Sequence, residues 1–293
     1  MNEPLTIKLR TLTPLWTGGV DQKCDRLHET GLLGSLRWWY EALVRGFGGD
    51  ACDPTEDGRC PDDAGKRCVA CALFGCTGWS RKFRLQIIDT KDKPIEAALL
   101  GSNAEFALRF LELHPLGGEE RWLLAKAVEI AAKYGAVGGK TTLKPQKRPK
   151  VGEDYGIVQG QEIRWLQKPD IRIFVNKNIW RHVQVKEPDL RCFFFISGAF
   201  LWCRQINTLI GLSEDGRSVV GRESYQEFLR GRRGTSGDPA VSKKIFSFRA
   251  GGGRVWGYAG DGEMRDTIID KVKELLGKGA YRIKTGEEIV SEL

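Results

Sequence analysis

The chain has 293 residues, with 46 Lys+Arg against 38 Asp+Glu and a formal net charge of +8. At roughly 100–200 residues per domain this length predicts two domains, and 41% hydrophobic residues with nine Trp and thirteen Phe exclude a disordered chain. The longest mostly apolar run, Cys192 to Cys203, is shorter than the roughly 18 residues of a membrane span. The opening MNEPLTIKLR lacks the apolar core of a signal peptide, so a soluble cytoplasmic protein with reduced thiols is expected.

Leu5, Ile7 and Leu9 alternate with polar residues, the period of a half-buried strand. Thr30 is placed to cap a helix whose apolar face is Leu33, Leu36, Tyr40, Leu43 and Phe47. Arg37, Glu41 and Arg45 share another face of that helix at i, i+4 spacing, where opposite charges attract. Residues 50–80 are Cys-rich and irregular. Strands are predicted at Arg84 to Asp89 and Glu105 to Leu113. A helix opens at Glu119 and Glu120, where negative charge is favoured, and closes at Gly135. A Gly/Lys-rich loop leads to a short strand at Tyr155 to Val158. The order strand-helix-strand-strand-helix-strand is that of a ferredoxin-like split βαβ domain.

The second half repeats this plan less clearly. Ile171, Ile173 and Val175 alternate as in a strand, and Arg191 to Ser197 reads as a buried strand. Ser224 to Arg230 is a short helix. Ile245, Ser247 and Arg249 lead into the run Gly251 to Tyr258, and Met264 to Leu276 forms a helix stopped by Gly277. The predicted class is α+β: two tandem ferredoxin-like (RRM-like) domains, residues 1–160 and 161–293, with a Cys-rich insertion at 50–80 in the first.

Three constellations carry chemistry. Cys68-Val69-Ala70-Cys71 has the two-residue gap that lets two thiolates grip one tetrahedral ion, and Cys52 and Cys60 complete a four-thiolate set. A structural zinc held by Cys52, Cys60, Cys68 and Cys71 is therefore expected, in a segment with little apolar mass of its own. Cys76, between Phe74-Gly75 and Trp79, reads as a packing residue, and Cys24, Cys192 and Cys203 as free thiols. The loop from Gly138 to Lys150 holds Lys140, Lys144, Lys147, Arg148 and Lys150 with no acid. Its glycines let backbone N–H groups approach phosphate, and its cations release counterions from a nucleic acid. Residues 136–192 as a whole carry 12 basic and 6 acidic side chains, where a polyanion would bind. The Walker spacing is absent, as are a Ser-nucleophile elbow, HExxH and a dinucleotide fingerprint. Of three His, His28 stands near Asp25 and Glu29, a pairing able to do acid–base work; a solvated loop histidine is the plainer reading.

The runs Thr13-Pro14-Leu15-Trp16-Thr17-Gly18-Gly19, Gly34-Ser35-Leu36-Arg37-Trp38-Trp39 and Cys71-Ala72-Leu73-Phe74-Gly75-Cys76-Thr77-Gly78-Trp79 resemble the first RAMP-superfamily subunit of type III-B CRISPR (Cmr) effector complexes. The resemblance is strongest over residues 5–90 and looser in the glycine loops after 135 and 250. It implies two ferredoxin-like domains and a non-catalytic antiviral ribonucleoprotein role. Such a subunit sits beside another RAMP subunit at the filament end bearing the 3′ portion of the guide RNA, and helps hold guide and target RNA while neighbouring subunits cut. RNA contacts are expected from Arg26, Arg37, Lys140, Lys144, Lys147 and Arg148. Trp16, Trp38 and Trp39 are candidates for base stacking or for the core, and Arg37 for a phosphate or for Glu41. Competing readings are a metal-independent RAMP endoribonuclease that processes guide precursors with His28 as base, target cleavage through Asp25, and a zinc-stabilised interaction protein without RNA contact.

Overall fold

The computed structural model describes residues 3–18, 25–54, 58–138, 154–160, 166–183, 185, 187–213, 221, 223–232, 234–235 and 240–293. The chain divides into two compact units, Met1–Lys140 with Tyr155–Asp189, and Thr141–Asp154 with Leu190–Leu293.

In the first unit the elements run β1 (Leu5–Thr11), α1 (Glu29–Gly46), α2 (Val69–Phe74), β2 (Phe83–Ile88), β3 (Glu105–Glu112), α3 (Gly118–Tyr134), β4 (Val158–Gly160) and α4 (Ile171–Val175). The sheet has the order β2-β3-β1-β4, with every neighbouring pair antiparallel. Leu5, Ile7 and Leu9 stand opposite Phe110, Leu108 and Phe106 in register, and all six are buried. This apolar face packs against α1 and α3, which bury Leu32, Leu36, Tyr40 and Leu43 on one side and Leu123, Leu124, Val128 and Ala131 on the other. The period-2 pattern of the strands and the 3.6 period of the helices therefore meet in one core.

The quoted sequence motifs have structural duties here. The Thr13 hydroxyl accepts the Ile157 N–H (3.0 Å), and the Thr17 hydroxyl accepts the His28 N–H (2.6 Å) at the start of α1. A Cβ on Gly31 would lie 3.2 Å from the Thr17 Cβ, so the motif loop and the helix start approach closely. The helix begins at Glu29 with His28 before it. Thr30, expected as the cap, lies inside the helix.

In the second unit the elements are β5 (Phe193–Ser197), α5 (Cys203–Leu209), α6 (Ser224–Arg230), β6 (Ile245–Phe248), β7 (Arg254–Tyr258), α7 (Gly262–Leu276), β8 (Arg282–Thr285) and α8 (Gly286–Glu292). The sheet order is β6-β7-β5-β8, again antiparallel throughout. Numbered within each unit, the two sheets share the order 2-3-1-4. Phe194, Ile196, Ile245 and Val255 pack with Ile206, Leu209, Ile268 and Val272.

Residues 155–189 group with the first unit, where the sequence places the division near 160. One expectation is corrected. Ile171–Val175 is a helix and not a strand: the Asp170 carboxylate accepts the Ile173 N–H (3.0 Å) as its cap, and Ile171, Phe174 and Val175 are buried while Ile173 is 64% exposed. That is i, i+3, i+4 burial, and the apparent alternation came from counting an exposed isoleucine as core. The run after Gly253 is a full strand between β5 and β6.

Gly156 closes a stem formed with Pro14 and Val137 just before β4. Its N–H donates to the Pro14 carbonyl (2.9 Å) and its carbonyl accepts from Val137 (2.8 Å). It has φ +76, and a Cβ there would lie 2.0 Å from the Val137 oxygen. Gly156→Ala is expected to cost about 1–3 kcal/mol, the usual range for forced overpacking, read as a lower denaturant midpoint; an unchanged midpoint contradicts this account of the stem.

Candidate metal centre and nucleic-acid contacts

The sulfurs of Cys52, Cys60, Cys68 and Cys71 all lie within 4.8 Å of one another, and all four residues are buried. Cys68 is the N-cap of α2, where its sulfur accepts the Cys71 N–H (3.5 Å). A helix start favours thiolate, and the short helix delivers the second thiol one turn on. The Cys52 and Cys71 sulfurs are 3.4 Å apart, and those of Cys52 and Cys68 3.7 Å. A tetrahedral ion with metal–sulfur bonds of about 2.3 Å sets ligands about 3.8 Å apart. The four residues thus fit one metal ion, and their all-sulfur donor set suits a soft or borderline one. Cys76 stands outside this set. Cys192 and Cys203 are half-buried and in no disulfide, and Cys24 lies outside the described residues.

Four thiols this close cannot all ionise without a cation. Hydrogen bonding with Cys52 lowers the Cys60 thiol and raises those of Cys68 and Cys71, so an ion would have to displace protons to bind. The surroundings already compensate thiolate charge. The Cys52 N–H points at the Cys68 sulfur (3.4 Å) and the Cys68 N–H at the Cys60 sulfur (3.2 Å). The Arg37 guanidinium reaches the Cys71 sulfur (3.1 Å), and Arg181 the Cys60 sulfur (3.8 Å). Such outer partners orient ligands and tune the bound ion.

Arg37 is anchored on three sides. Its Nε donates to Glu41 Oε1 (2.7 Å) and its Nη1 to the Gly75 carbonyl (3.0 Å), besides the Cys71 contact. Burial pushes this guanidinium down, but Glu41 and Cys71 more than offset it and hold it raised. Burial likewise raises the Glu41 carboxyl, and Arg37 opposes that rise. The i, i+4 spacing revealed the face shared by Arg37, Glu41 and Arg45, but not that the Arg45 guanidinium donates to the carbonyls of Ala51 (2.7 Å) and Pro188 (3.0 Å); nothing in the sequence pointed to Arg181.

Of the expected RNA contacts, Lys140, Lys144, Lys147 and Arg148 lie outside the described residues. Arg26 is exposed just before α1, with its N–H on the Asp25 carboxylate (3.0 Å). Asp25 and His28 meet: His28 Nε2 and Asp25 Oδ1 are 2.6 Å apart, and the hydrogen bond with His28 lowers the Asp25 carboxyl. Trp39 is core, 2% exposed, with its indole N–H on the Ala136 carbonyl (3.1 Å). Trp16 and Trp38 are half-buried.

The open face of the first sheet holds a cleft of about 610 Å³ lined by Lys8 and Arg10 but also by Asp89, Asp92 and Glu105. Two cations against three acids give it no preference for a polyanion. In the second unit, by contrast, the Asp154 carboxylate accepts two successive backbone N–H groups, those of Arg249 and Ala250 (3.0 and 3.1 Å). The Arg249 guanidinium there stands 5.1 Å over the Trp202 ring. Successive amides of this kind hold anions; the sequence pattern marks Arg249 and the glycines after it, but not Asp154 or Trp202.

Residues 8–143 match the family model of the RAMP superfamily. The resemblance carried by the motifs at 13–19, 34–39 and 71–79 thus falls inside the matched segment. Among solved structures, that of Cmr1 from Pyrococcus furiosus in its apo form is similar to this chain at 10% identity and a TM-score of 0.47, covering 96% of this chain and 98% of that chain. No curated protein matches it. Among the described residues, no helix is long and apolar enough to cross a membrane.

Two outcomes follow from this geometry. Elemental analysis of purified protein is expected to find about one metal ion per chain, as a single four-thiolate site requires, and Cys71→Ser to lose it; metal-free protein with a fully ordered 50–80 segment contradicts the site. Arg37→Ala leaves Glu41 buried without its partner, a loss of about 3–5 kcal/mol, and is expected to weaken metal retention about 10–100-fold, as for other outer partners. Chelator competition and chemical denaturation measure the two effects separately.

Proposed function

We propose that this chain is a non-catalytic, RNA-binding subunit of a type III-B CRISPR (Cmr) RNA-guided effector complex. In this reading it is built of two ferredoxin-like domains, with a structural zinc in the four-sulfur site. It sits at the filament end that carries the 3′ portion of the guide, in contact with another RAMP subunit, and helps hold guide and target RNA. The observation that carries the reading is the match of residues 8–143 to the RAMP superfamily. The repeated sheet order supports the domain assignment, since a split βαβ unit places its strands in this way. The closed all-cysteine set supports zinc, because structural zinc sites fill all four positions with protein ligands.

Two features support RNA as the partner. The segment 138–150 has five cations and no acid. The Asp154 carboxylate marks where a phosphate could rest, on the amides of Arg249 and Ala250 beside Trp202. The processing-nuclease reading keeps one observation in its favour, the contact between His28 and Asp25.

If two or three phosphates are neutralised, the log–log salt dependence of single-stranded RNA binding is expected to have a slope of about −1.4 to −2.1. Replacing Lys140, Lys144, Lys147 and Arg148 together by Ala is expected to weaken binding and shallow that slope without unfolding the protein. An unchanged slope moves the contact to the second unit, around Arg249. Divalent-independent cutting of repeat RNA by the pure chain, abolished in His28→Ala, would establish the nuclease reading instead.

A further inference from the structure

On the outer side of the metal loop lies a recess of about 330 Å³ walled by Lys66, Arg67, Trp79, Lys82, Ile179 and Trp180. That is at the small end of the range for ligand sites, about 300–1,000 Å³. Its walls come from distant parts of the chain and are fastened together. The Arg181 N–H donates to the Arg67 carbonyl (2.9 Å), and the Arg181 guanidinium to the carbonyls of Gly58 (3.0 Å) and Arg59 (2.7 Å). Trp79 is held by its indole N–H on the Ala72 carbonyl (3.2 Å) and by paired backbone bonds with Cys76. Trp180 donates to the Phe174 carbonyl (2.7 Å) and meets the Phe174 ring edge-on at 5.4 Å.

Within this rigid frame, large apolar side chains face water: Trp79 is 39% exposed and Ile179 63%. The Arg67 guanidinium lies 3.7 Å over the Trp79 ring, a stack begun and left open. Among the described residues, no acid lines the recess. Lys82 is taken up by Glu120 (2.8 and 3.0 Å), so Lys66 and Arg67 set its charge. Flat groups with flanking cations select a ligand that is both planar and anionic. An apolar protein side chain would use Ile179 and Trp180 but give the two cations nothing.

We propose that this recess receives one unpaired nucleobase of a single-stranded RNA, with the base extending the Arg67–Trp79 stack and an adjoining phosphate facing Lys66. The proposal rests on the RNA-binding reading above and places one contact of it in the first unit.

The test uses the full chain, a fluorescein-labelled oligouridylate read by anisotropy, and a 4-thiouridine version of the same strand for photocrosslinking. Trp79→Ala is expected to weaken binding about tenfold, within the roughly 5- to 150-fold span of one base–aromatic stack, while Trp79→Phe keeps most of the affinity. Lys66→Glu, at an exposed position, is expected to shallow the salt slope by about 0.7, one phosphate's share. The crosslink is expected in the peptide containing Arg67 or Trp79. Metal content is measured alongside; if Trp79→Ala sheds its metal, Lys66→Glu and the crosslink decide. If the unmodified chain binds the strand, yet Lys66→Glu leaves the slope unchanged and no crosslink falls in 64–82 or 177–181, the proposal fails alone and the recess becomes a surface for a protein partner. If the unmodified chain binds no RNA, the RNA-binding reading fails with it.

Discussion

Four sulfurs packed within 4.8 Å of one another repel as thiolates unless a cation sits among them and further positive groups stand behind them. A divalent ion among four thiolates leaves a charge of about −2, and the chain answers it with Arg37 at Cys71 and Arg181 at Cys60. Each arginine ties a different part of the first unit to the loop. Arg37 belongs to α1 and is held there by Glu41. Arg181 brings the segment after α4 across the loop to the carbonyls of Gly58 and Arg59. The cluster thereby ties a core helix and the segment around Arg181 to the loop.

The same loop has two faces with opposed chemistry. Inward it presents sulfur and amide groups that suit a metal ion. Outward it presents Arg67 stacked on Trp79 with Lys66 alongside. A loop with so little apolar mass could not keep exposed indoles at defined positions by packing alone; fastening by the cluster and by Arg181 supplies the rigidity that recognition by stacking needs. The structural and the RNA-binding readings of this segment are thus physically linked.

The two sheets share an order but not a surface. On the first, the side away from the helices carries Lys8, Arg10 and Arg109 among acids, with Arg109 paired to Asp92. On the second, the corresponding side is aromatic: Phe193, Trp256 and Phe246 lie in near-parallel stacks. Phe193 and Trp256 are buried, which removes them from base stacking. Sheet topology alone therefore says nothing about where RNA binds. The candidates are where cations meet rings, at Arg67 with Trp79 and at Arg249 with Trp202.

By itself the sequence determined what depends on short-range periodicity and spacing. The alternation of Leu5, Ile7 and Leu9, the helical face through Leu36, Tyr40 and Leu43, and the four cysteines of the metal set were all legible, because each follows from local geometry. So was the Arg37–Glu41 pair, a single turn apart. What the sequence did not settle were segments whose form depends on long-range partners. Ile171–Val175 became a helix once Asp170 capped it and its buried side found the first unit. Arg254–Tyr258 became a central strand because β5 and β6 satisfy both of its edges. Tertiary structure alone decided that Arg181 stands at Cys60, that Asp154 lies on the amides of Arg249 and Ala250, and that Trp180 walls the recess beside Trp79. These are meetings of residues far apart in the chain, whose closeness is imposed by the folding of everything between them and leaves no trace in local sequence pattern.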